Sequence, residues 1–461
     1  MSDSVPVLGP ALVDWIESVA GGGEARVTPF GHYRPLWSVD VVRPGQTVEL
    51  FVRGARDSGS VLASVYNLER ESAVIRALTE IGIPTPAWVA FNPDEQLLIL
   101  ERIPGRGDFH NIVDADERER VARRFVEVLA DLHARKPVDF RLDAVMRVPV
   151  TAEDAALGEL KIAEPLYDAA DLRPEPMITF GRQWLRRNVP QDIDHTCFIQ
   201  GDTGPGNFVF HEGGVWLVDL EIAHFGDPME DLAAVCIRDM VTPFGDLRSL
   251  FAQYDALTEW RLDLDRLRYH RVSKCVRSLM AIVSLNELGR QRGELLTWWA
   301  YRALYIRGFC QALAEAMGLD GDSLRDPANS PSTLPASPWS ALHDMVEGDL
   351  ADLARSNRQS AGEATAVLER DIRAAAVMRL VDAFGPAFRV AENAGLEELL
   401  GFDVASNEDG LRQLDESIRT GTLKSDDADL LRFFYARADR QCTLLRPAMG
   451  AMADGYFSPI D

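Results

Sequence analysis

One stretch constrains this chain more than any other: Phe198–Leu232, which reads FIQGDTGPGNFVFHEGGVWLVDLEIAHFGDPMEDL. Phe208–Phe210 and Val215–Val218 are short apolar runs, and His211-Glu212-Gly213-Gly214 between them is a turn signal, so the segment predicts a β-hairpin. Antiparallel pairing brings the outer ends of a hairpin together, so Asn207 and Asp219 should converge. An amide carbonyl and a carboxylate at one point are hard oxygen donors. They suit Mg²⁺, which takes one or two carboxylates and shares the rest of its shell with phosphate oxygens and water. Asp202 precedes Asn207 on a loop stiffened by Pro205 and loosened by Gly201, Gly204 and Gly206, and it can face the same point as a general base.

The rest of the composition narrows the setting. At 461 residues the chain has room for two or three packed units. A net charge of −24 argues against a nucleic-acid partner, whose binding relies on Lys and Arg, and against an anionic membrane surface. Most of that acidity is expected on a solvated surface. Cys197, Cys236, Cys275, Cys310 and Cys442 are scattered and form no C-x-x-C pair, which fits buried thiols in a reduced, cytoplasmic protein. The N-terminal MSDSVPVLGP lacks the pattern of a signal peptide, and no apolar run approaches the ~20 residues of a membrane span.

Taken in order, residues 11–19 have helical spacing, and Gly21-Gly22-Gly23 ends that helix. Strands are predicted at Arg26–Phe30, Leu36–Arg43 and Thr47–Arg53, a helix at Ser64–Ile81, and strands at Ala87–Phe91 and Gln96–Glu101. Ile103-Pro104-Gly105 follows as a hinge-like connection. Beyond it the signal is helical, notably at Ala115–Ala134, Pro174–Asn188, Asp231–Asp239, Leu247–Leu257, Leu264–Leu288 and Leu295–Met317. The expected organisation is a nucleotide-binding N-lobe at 1–103, a helical C-lobe at 104–325, a Pro/Ser-rich linker at 326–338 and a helical extension at 339–461. Gly385-Pro386 and Gly421 are expected to divide the extension into shorter helices. The extension's role stays open between docking on the helical lobe, forming a homodimer and binding a partner subunit. The fold class is α+β: a two-lobed, protein-kinase-like fold with an added all-α segment.

A strand-rich lobe, a hinge and a helical lobe carrying Asp202, Asn207 and Asp219 form the layout of a kinase-like phosphotransferase. The stretch Gln200–Asn207, QGDTGPGN, with Leu217–Asp219, LVD, resembles the aminoglycoside phosphotransferase / choline-kinase-like family, whose pattern is H-G-D-x-x-x-x-N followed by a strand ending in Asp. The continuation DLEIAHFGDPMEDLA is similar to the branch that includes phosphotransferase-like domains fused to acyl-CoA dehydrogenases. ADLHA at Ala130–Ala134, WLRRN at Trp184–Asn188 and Arg70-Glu71 support the likeness, which covers about residues 10–320.

The resemblance implies transfer of the γ-phosphate of ATP (or GTP) to a hydroxyl of a small molecule, with Mg²⁺ as cofactor. Such transfer needs positioning and charge neutralisation more than covalent chemistry. Asp202 would accept or orient the proton of the acceptor, and Asn207 and Asp219 would hold Mg²⁺. Arg53 stands where the family has a strand-borne Lys, with Glu71 as its helix partner, and the nucleobase would meet the backbone at Glu101, Arg102 and Ile103. Glu221 either orients a second metal or substrate group or pairs with a base. Two departures stand out. Gln200 replaces the usual His, and the segment over the phosphates, TPFGHYRPLW, has a single glycine, so that His32, Tyr33 or Arg34 would have to substitute. The likeness to acyl-CoA-dehydrogenase-linked domains implies a hydroxyacid, a hydroxyacyl thioester or another alcohol or phenol as acceptor. The departures also leave a second expectation, a nucleotide-binding regulatory or scaffold protein with little turnover.

Overall fold

The computed structural model describes residues 7–30, 34–55, 67–170, 172–288, 295–325, 327–329, 331, 333–335, 337–357 and 363–460. It divides into two compact units, one of Met1–Ile162, Pro190–Leu264 and Pro459–Asp461, the other of Ala163–Val189 and Asp265–Ser458.

The first unit opens with α1 (Pro10–Val19), which Pro10 starts without a lost hydrogen bond because the first N–H of a helix has no partner. The chain then forms β1 (Glu24–Phe30), β2 (Leu36–Arg43) and β3 (Gln46–Gly54), followed by α2 (Leu68–Glu80), β4 (Trp88–Asn92) and β5 (Leu97–Glu101). All pairings are antiparallel and the strand order is β1-β2-β3-β5-β4. The β2–β3 hairpin closes at Arg43↔Gln46, with Gly45 at φ +80° supplying the positive φ of the turn. Alternating Trp37, Val39, Val41, Leu50, Val52, Leu97 and Ile99 pack one face of the sheet into a core with Ile16 of α1. Asn67 caps α2 by accepting from the Arg70 N–H, and Leu68, Val74, Ile75 and Leu78 are buried. Gly31, His32, Tyr33 and residues 64–66 of the expected helix lie outside the described residues.

The hinge segment is held against the later hairpin. Arg106 and Phe210 exchange backbone hydrogen bonds, and a Cβ on Gly105 would stand 2.5 Å from Val209 Cγ1, so only glycine fits there. Helix α3 (Ala115–Ala134), capped by Asp114, then buries Val121, Phe125, Val128, Leu129 and Leu132. Next come α4 (Ala152–Ala169) and α5 (Pro176–Arg187), then β6 (Cys197–Ile199), β7 (Phe208–His211), β8 (Gly214–Leu217) and β9 (His224–Gly226). The expected hairpin forms as β7–β8, registered Phe208↔Leu217. The sequence pattern missed α4 and the short β6–β9 pair, whose strands are too brief for periodicity to register. Helices α6 (Met229–Asp239) and α7 (Leu247–Leu257) follow.

The second unit holds α8 (Leu264–Leu288), α9 (Leu295–Ala316), α10 (Ser340–Asn357), α11 (Glu363–Leu400), α12 (Asn407–Thr420) and α13 (Asp427–Met449). Within it α13 packs on α9, and α12 on α5. The Glu175 carboxylate, beside the start of α5, is buried between Arg302 of α9 and Arg437 of α13. One expectation is corrected here. Gly421 ends α12 in the left-handed conformation, but α11 runs unbroken through Gly385-Pro386. Pro386 removes one backbone bond. Phe384 and Phe388, stacked at 5.6 Å and both buried, supply packing that offsets that loss.

The described residues form an α+β, kinase-like fold, with a five-stranded sheet, a mostly helical remainder and added C-terminal helices. Among them no helix is long and apolar enough to cross a membrane. Four of the five cysteines are buried and Cys442 is half-buried; burial pushes the Cys275 thiol up to about 12 and the Cys442 thiol up to about 11.

Candidate active site

The base of the β7–β8 hairpin gathers the acidic and amide residues of the motif. With Phe208 paired to Leu217, Asn207 lies opposite Val218, whose N–H donates to the Asn207 carbonyl at 3.1 Å. Asp219 then leaves the strand at φ +58°, a left-handed conformation that Asp tolerates better than most residues. Its side chain is 40% exposed. The Asn207 side chain is oriented from the other side: its Nδ2 donates to the Asp202 carbonyl at 2.6 Å. That leaves the Asn207 amide oxygen as its acceptor, the atom a hard cation takes. An amide oxygen and a half-exposed carboxylate at one hairpin base fit Mg²⁺ by donor chemistry.

Gln200 ties this base together. It is fully buried, and its Nε2 donates to the carbonyls of Asn207 at 3.1 Å and Val218 at 2.7 Å. The departure from His therefore keeps a hydrogen-bonding side chain under the loop without a titratable ring.

The sheet supplies the cationic side. Arg53 on β3 places Nη1 2.8 Å from Glu71 Oε1 and Nη2 3.6 Å from Asp219 Oδ1. Arg34, just before β2, is 3.0 Å from Glu71 Oε2 and also pairs with Glu221. The Glu71 side chain, 2% exposed, thus lies between two guanidiniums, as a buried carboxylate must be compensated. Burial alone would lower the Arg34 guanidinium, but Glu71, Glu221 and Asp219 hold it above its ordinary range. Of the three residues expected to stand in for a glycine-rich segment, Arg34 is the one within the described residues, and it reaches the site. Glu221 meets a base, Arg34. Arg70, beside Glu71 on α2, donates to the carbonyls of Glu221 at 3.0 Å and Ala223, so one helix positions both the ion pair and the loop after β8.

At the hinge, the Glu101 N–H donates to Ala87 O and the Arg102 N–H to Glu49 O. The Arg102 side chain turns onto the sheet, pairing with Asp40 at 2.7 Å and with Glu49. Among the described residues the Ile103 N–H meets no backbone carbonyl.

Three further residues build the loop, and the sequence pattern did not single them out for it. Asp231, fully buried in the first turn of α6, accepts from Gln200 N at 2.8 Å, Gly201 N at 2.9 Å, the Thr203 hydroxyl and His133 Nε2 at 3.1 Å. Burial alone would raise the Asp231 carboxyl. The hydrogen bond and charge of His133, with Thr203 and Gly201, hold it below the usual carboxylate range. His133 of α3 passes the network on to the Tyr254 hydroxyl at 2.7 Å. Arg238, in the last turn of α6, grips the Asp202 carboxylate with Nε at 3.0 Å from Oδ1 and Nη2 on Oδ2. The available signal was an Asp and an Arg seven residues apart on one apolar helix, hence on one face. His224 Nδ1 donates to Ile222 O at 3.0 Å and its Nε2 lies 3.1 Å from Glu230 Oε2, a tie between β9 and α6.

A small antiparallel sheet bearing an Arg–Glu pair, set against a loop and hairpin bearing Asp, Asn and Asp, is an arrangement of the kinase-like fold class. A model of the phosphotransferase enzyme family matches residues 37–270, half of the chain, and the chain belongs to that family. Among curated proteins it is similar to acyl-CoA dehydrogenase family member 11 of Rattus norvegicus, 26% identical over 252 residues, covering 50% of this chain and 32% of that protein. It is also similar to acyl-CoA dehydrogenase family member 10 of Mus musculus, 24% identical over 193 residues, covering 40% and 18%. The chain thus spans a third or less of the length of these relatives. Among solved structures it is similar to one from Ralstonia eutropha JMP134 assigned as an aminoglycoside phosphotransferase, with TM-score 0.50 and 20% identity, covering 66% of this chain and 95% of that one. At that identity the likeness speaks for the fold.

Proposed function

We propose that the chain is a Mg²⁺-dependent O-phosphotransferase that moves the γ-phosphate of ATP (or GTP) to a hydroxyl of a small molecule. The observation that supports this reading is the hairpin base where Asn207 donates to the Asp202 carbonyl and Asp219 follows the residue paired to Asn207, with Arg53 3.6 Å from Asp219 and paired to Glu71. Asn207 and Asp219 would hold Mg²⁺, which when bound neutralises phosphate charge. Arg53 exchanges its long contact with Asp219 for phosphate oxygens, and its fixed fork suits them. Arg34 holds Glu71 and Glu221 in place beside it. Ile103 N–H is the hinge donor offered to the nucleobase, with Glu101 and Arg102 fixing the backbone on either hydrogen-bonded side. Asp202 orients the acceptor hydroxyl and takes its proton. A loose transition state asks little more of a base than that.

The acceptor class is a hydroxyl compound, and the family name does not fix which. The test is a panel of hydroxyacyl thioesters, hydroxyacids, phenols, amino sugars and amino alcohols, incubated with ATP or GTP and Mg²⁺, with phosphorylated product read by mass spectrometry. Asp202→Ala should lower turnover by roughly 10²–10⁴. Unchanged turnover in that variant refutes its role. Tight nucleotide binding with no product across the panel favours a regulatory, non-transferring protein.

A further inference from the structure

The Asp202 loop lies along α6 and is held at both ends of that helix. Asp231 in the first turn takes the N–H groups of Gln200 and Gly201 and the Thr203 hydroxyl. Arg238, about two turns on, takes both oxygens of the Asp202 carboxylate. The loop is shaped to admit that guanidinium. A Cβ on Gly204 (φ +132°) would stand 2.9 Å from Arg238 Cβ and 3.2 Å from its Cγ. One on Gly206 (φ +96°) would stand 3.6 Å from Arg238 Nη1. A side chain at Gly204 would press against the arginine stem, one at Gly206 would meet its head at ordinary contact distance, and at both positions the positive φ would strain the backbone.

A bidentate guanidinium uses one lone pair on each carboxylate oxygen and fixes the plane of the group. Each carboxylate oxygen carries a second lone pair, and the fork sets the direction in which it points. Free rotation of Asp202 would spread that acceptor direction over many orientations, and phosphoryl transfer depends on in-line alignment of the acceptor.

Resting on the proposed transferase reading, we infer that Arg238 is the positioning residue for the acceptor: its fork sets the Asp202 carboxylate so that the acceptor hydroxyl is aligned with the γ-phosphorus. In that step the acceptor oxygen–phosphorus bond forms as the bond from phosphorus to the β–γ bridging oxygen breaks. The nucleoside diphosphate leaves with that electron pair, and the hydroxyl proton passes to Asp202. Arg238 neither gives nor takes a proton. Its loss therefore harms transfer to the acceptor more than hydrolysis by water, which needs no such alignment of a bound acceptor.

The experiment compares wild type, Arg238→Ala and Arg238→Lys with the acceptor found by the panel, measuring acceptor phosphorylation and hydrolysis of ATP separately. Arg238→Ala should lower kcat for transfer by about 10²-fold, leave the KM for ATP within about twofold, and raise the ratio of hydrolysis to transfer. Added guanidinium ion, well below denaturing concentration, should restore part of the transfer rate of Arg238→Ala. Arg238→Lys keeps the charge and most of the stem but loses the fork, so its kcat should fall between the two. If Arg238→Ala fails to fold, Arg238→Lys carries the comparison. Wild-type kcat and product ratio in Arg238→Lys, or equal loss of transfer, hydrolysis and nucleotide binding in Arg238→Ala without guanidinium rescue, overturns the positioning role alone. A wild-type chain that binds Mg·ATP yet phosphorylates no acceptor overturns the transferase reading and this inference with it.

Discussion

Replacing Asp231 by Asn probes the loop anchor at nearly constant volume. The native carboxylate accepts four hydrogen bonds, two on each oxygen. An amide offers one accepting oxygen and one donating NH₂. If the NH₂ takes the Oδ1 position, the Thr203 hydroxyl can turn to accept, but the Gly201 N–H is left facing a donor. If it takes the Oδ2 position, His133 can change tautomer, but the Gln200 N–H is stranded. Either way one charge-assisted bond is lost and one buried N–H is orphaned, and the remaining bonds weaken. At about 1.5–3 kcal/mol for the first and about 1–3 kcal/mol for the second, the cost is about 2.5–6 kcal/mol. The assay is urea unfolding together with native-state hydrogen exchange at the Gln200 and Gly201 amides, because the chain has two compact units and a local reading is needed. Protection of those amides should fall by about two to four orders of magnitude. The sign with pH follows from the lowered Asp231 pKa: the charged form stabilises above the unfolded value of about 3.9, and that stability is lost as pH falls through the folded value. Asp231→Asn should lack that acid-dependent component. A change under about 0.5 kcal/mol, with exchange unaltered, would refute the anchoring role.

Other changes test separate parts of the structure. Glu175→Gln leaves Arg302 and Arg437 without their shared carboxylate and should destabilise by about 3 kcal/mol in urea unfolding. Burial alone would raise the Glu175 carboxyl, but Arg437 and Arg302 hold it low, so its contribution is likewise present above the ordinary carboxylate range and lost below it. Gly105→Ala drives a methyl to 2.5 Å from Val209 Cγ1 and 2.8 Å from Phe210 O, and should cost about 1–3 kcal/mol, read as a lowered unfolding midpoint. Asp219→Asn removes the carboxylate of the Asn207–Asp219 pair, and the Mg²⁺ concentration for half-maximal nucleotide binding should rise by about tenfold or more. Glu71→Gln leaves Arg34 and Arg53, both largely buried, against a neutral partner, and should weaken ATP binding measured by calorimetry.

Local pattern was enough for much of this protein. Turn residues and alternating apolar runs located the five strands of the sheet and the β7–β8 hairpin, because hairpin register follows from the turn between adjacent strands. Helical spacing located α3, α7 and α8. The spacing of Asp202, Asn207 and Asp219 survives folding as proximity because all three flank one loop and one hairpin. The long-range partners were decided by tertiary structure. Arg34 on Glu71 and Glu221, Asp231 and His133 under the loop, and Arg238 on Asp202 join residues from separate elements. Such pairs leave no period in a sequence, since a charged residue on a helix reads alike whether it faces water or a buried carboxylate. Proline in α11 shows the same limit from the opposite side: its local preference predicts a break, and packing of Phe384 and Phe388 outweighs it. The sequence by itself determined the order of Asp202, Asn207 and Asp219 and the turn that separates the last two. Only the tertiary structure decided which cations hold them, because ion pairing depends on distance and burial, and both are set by how the elements pack.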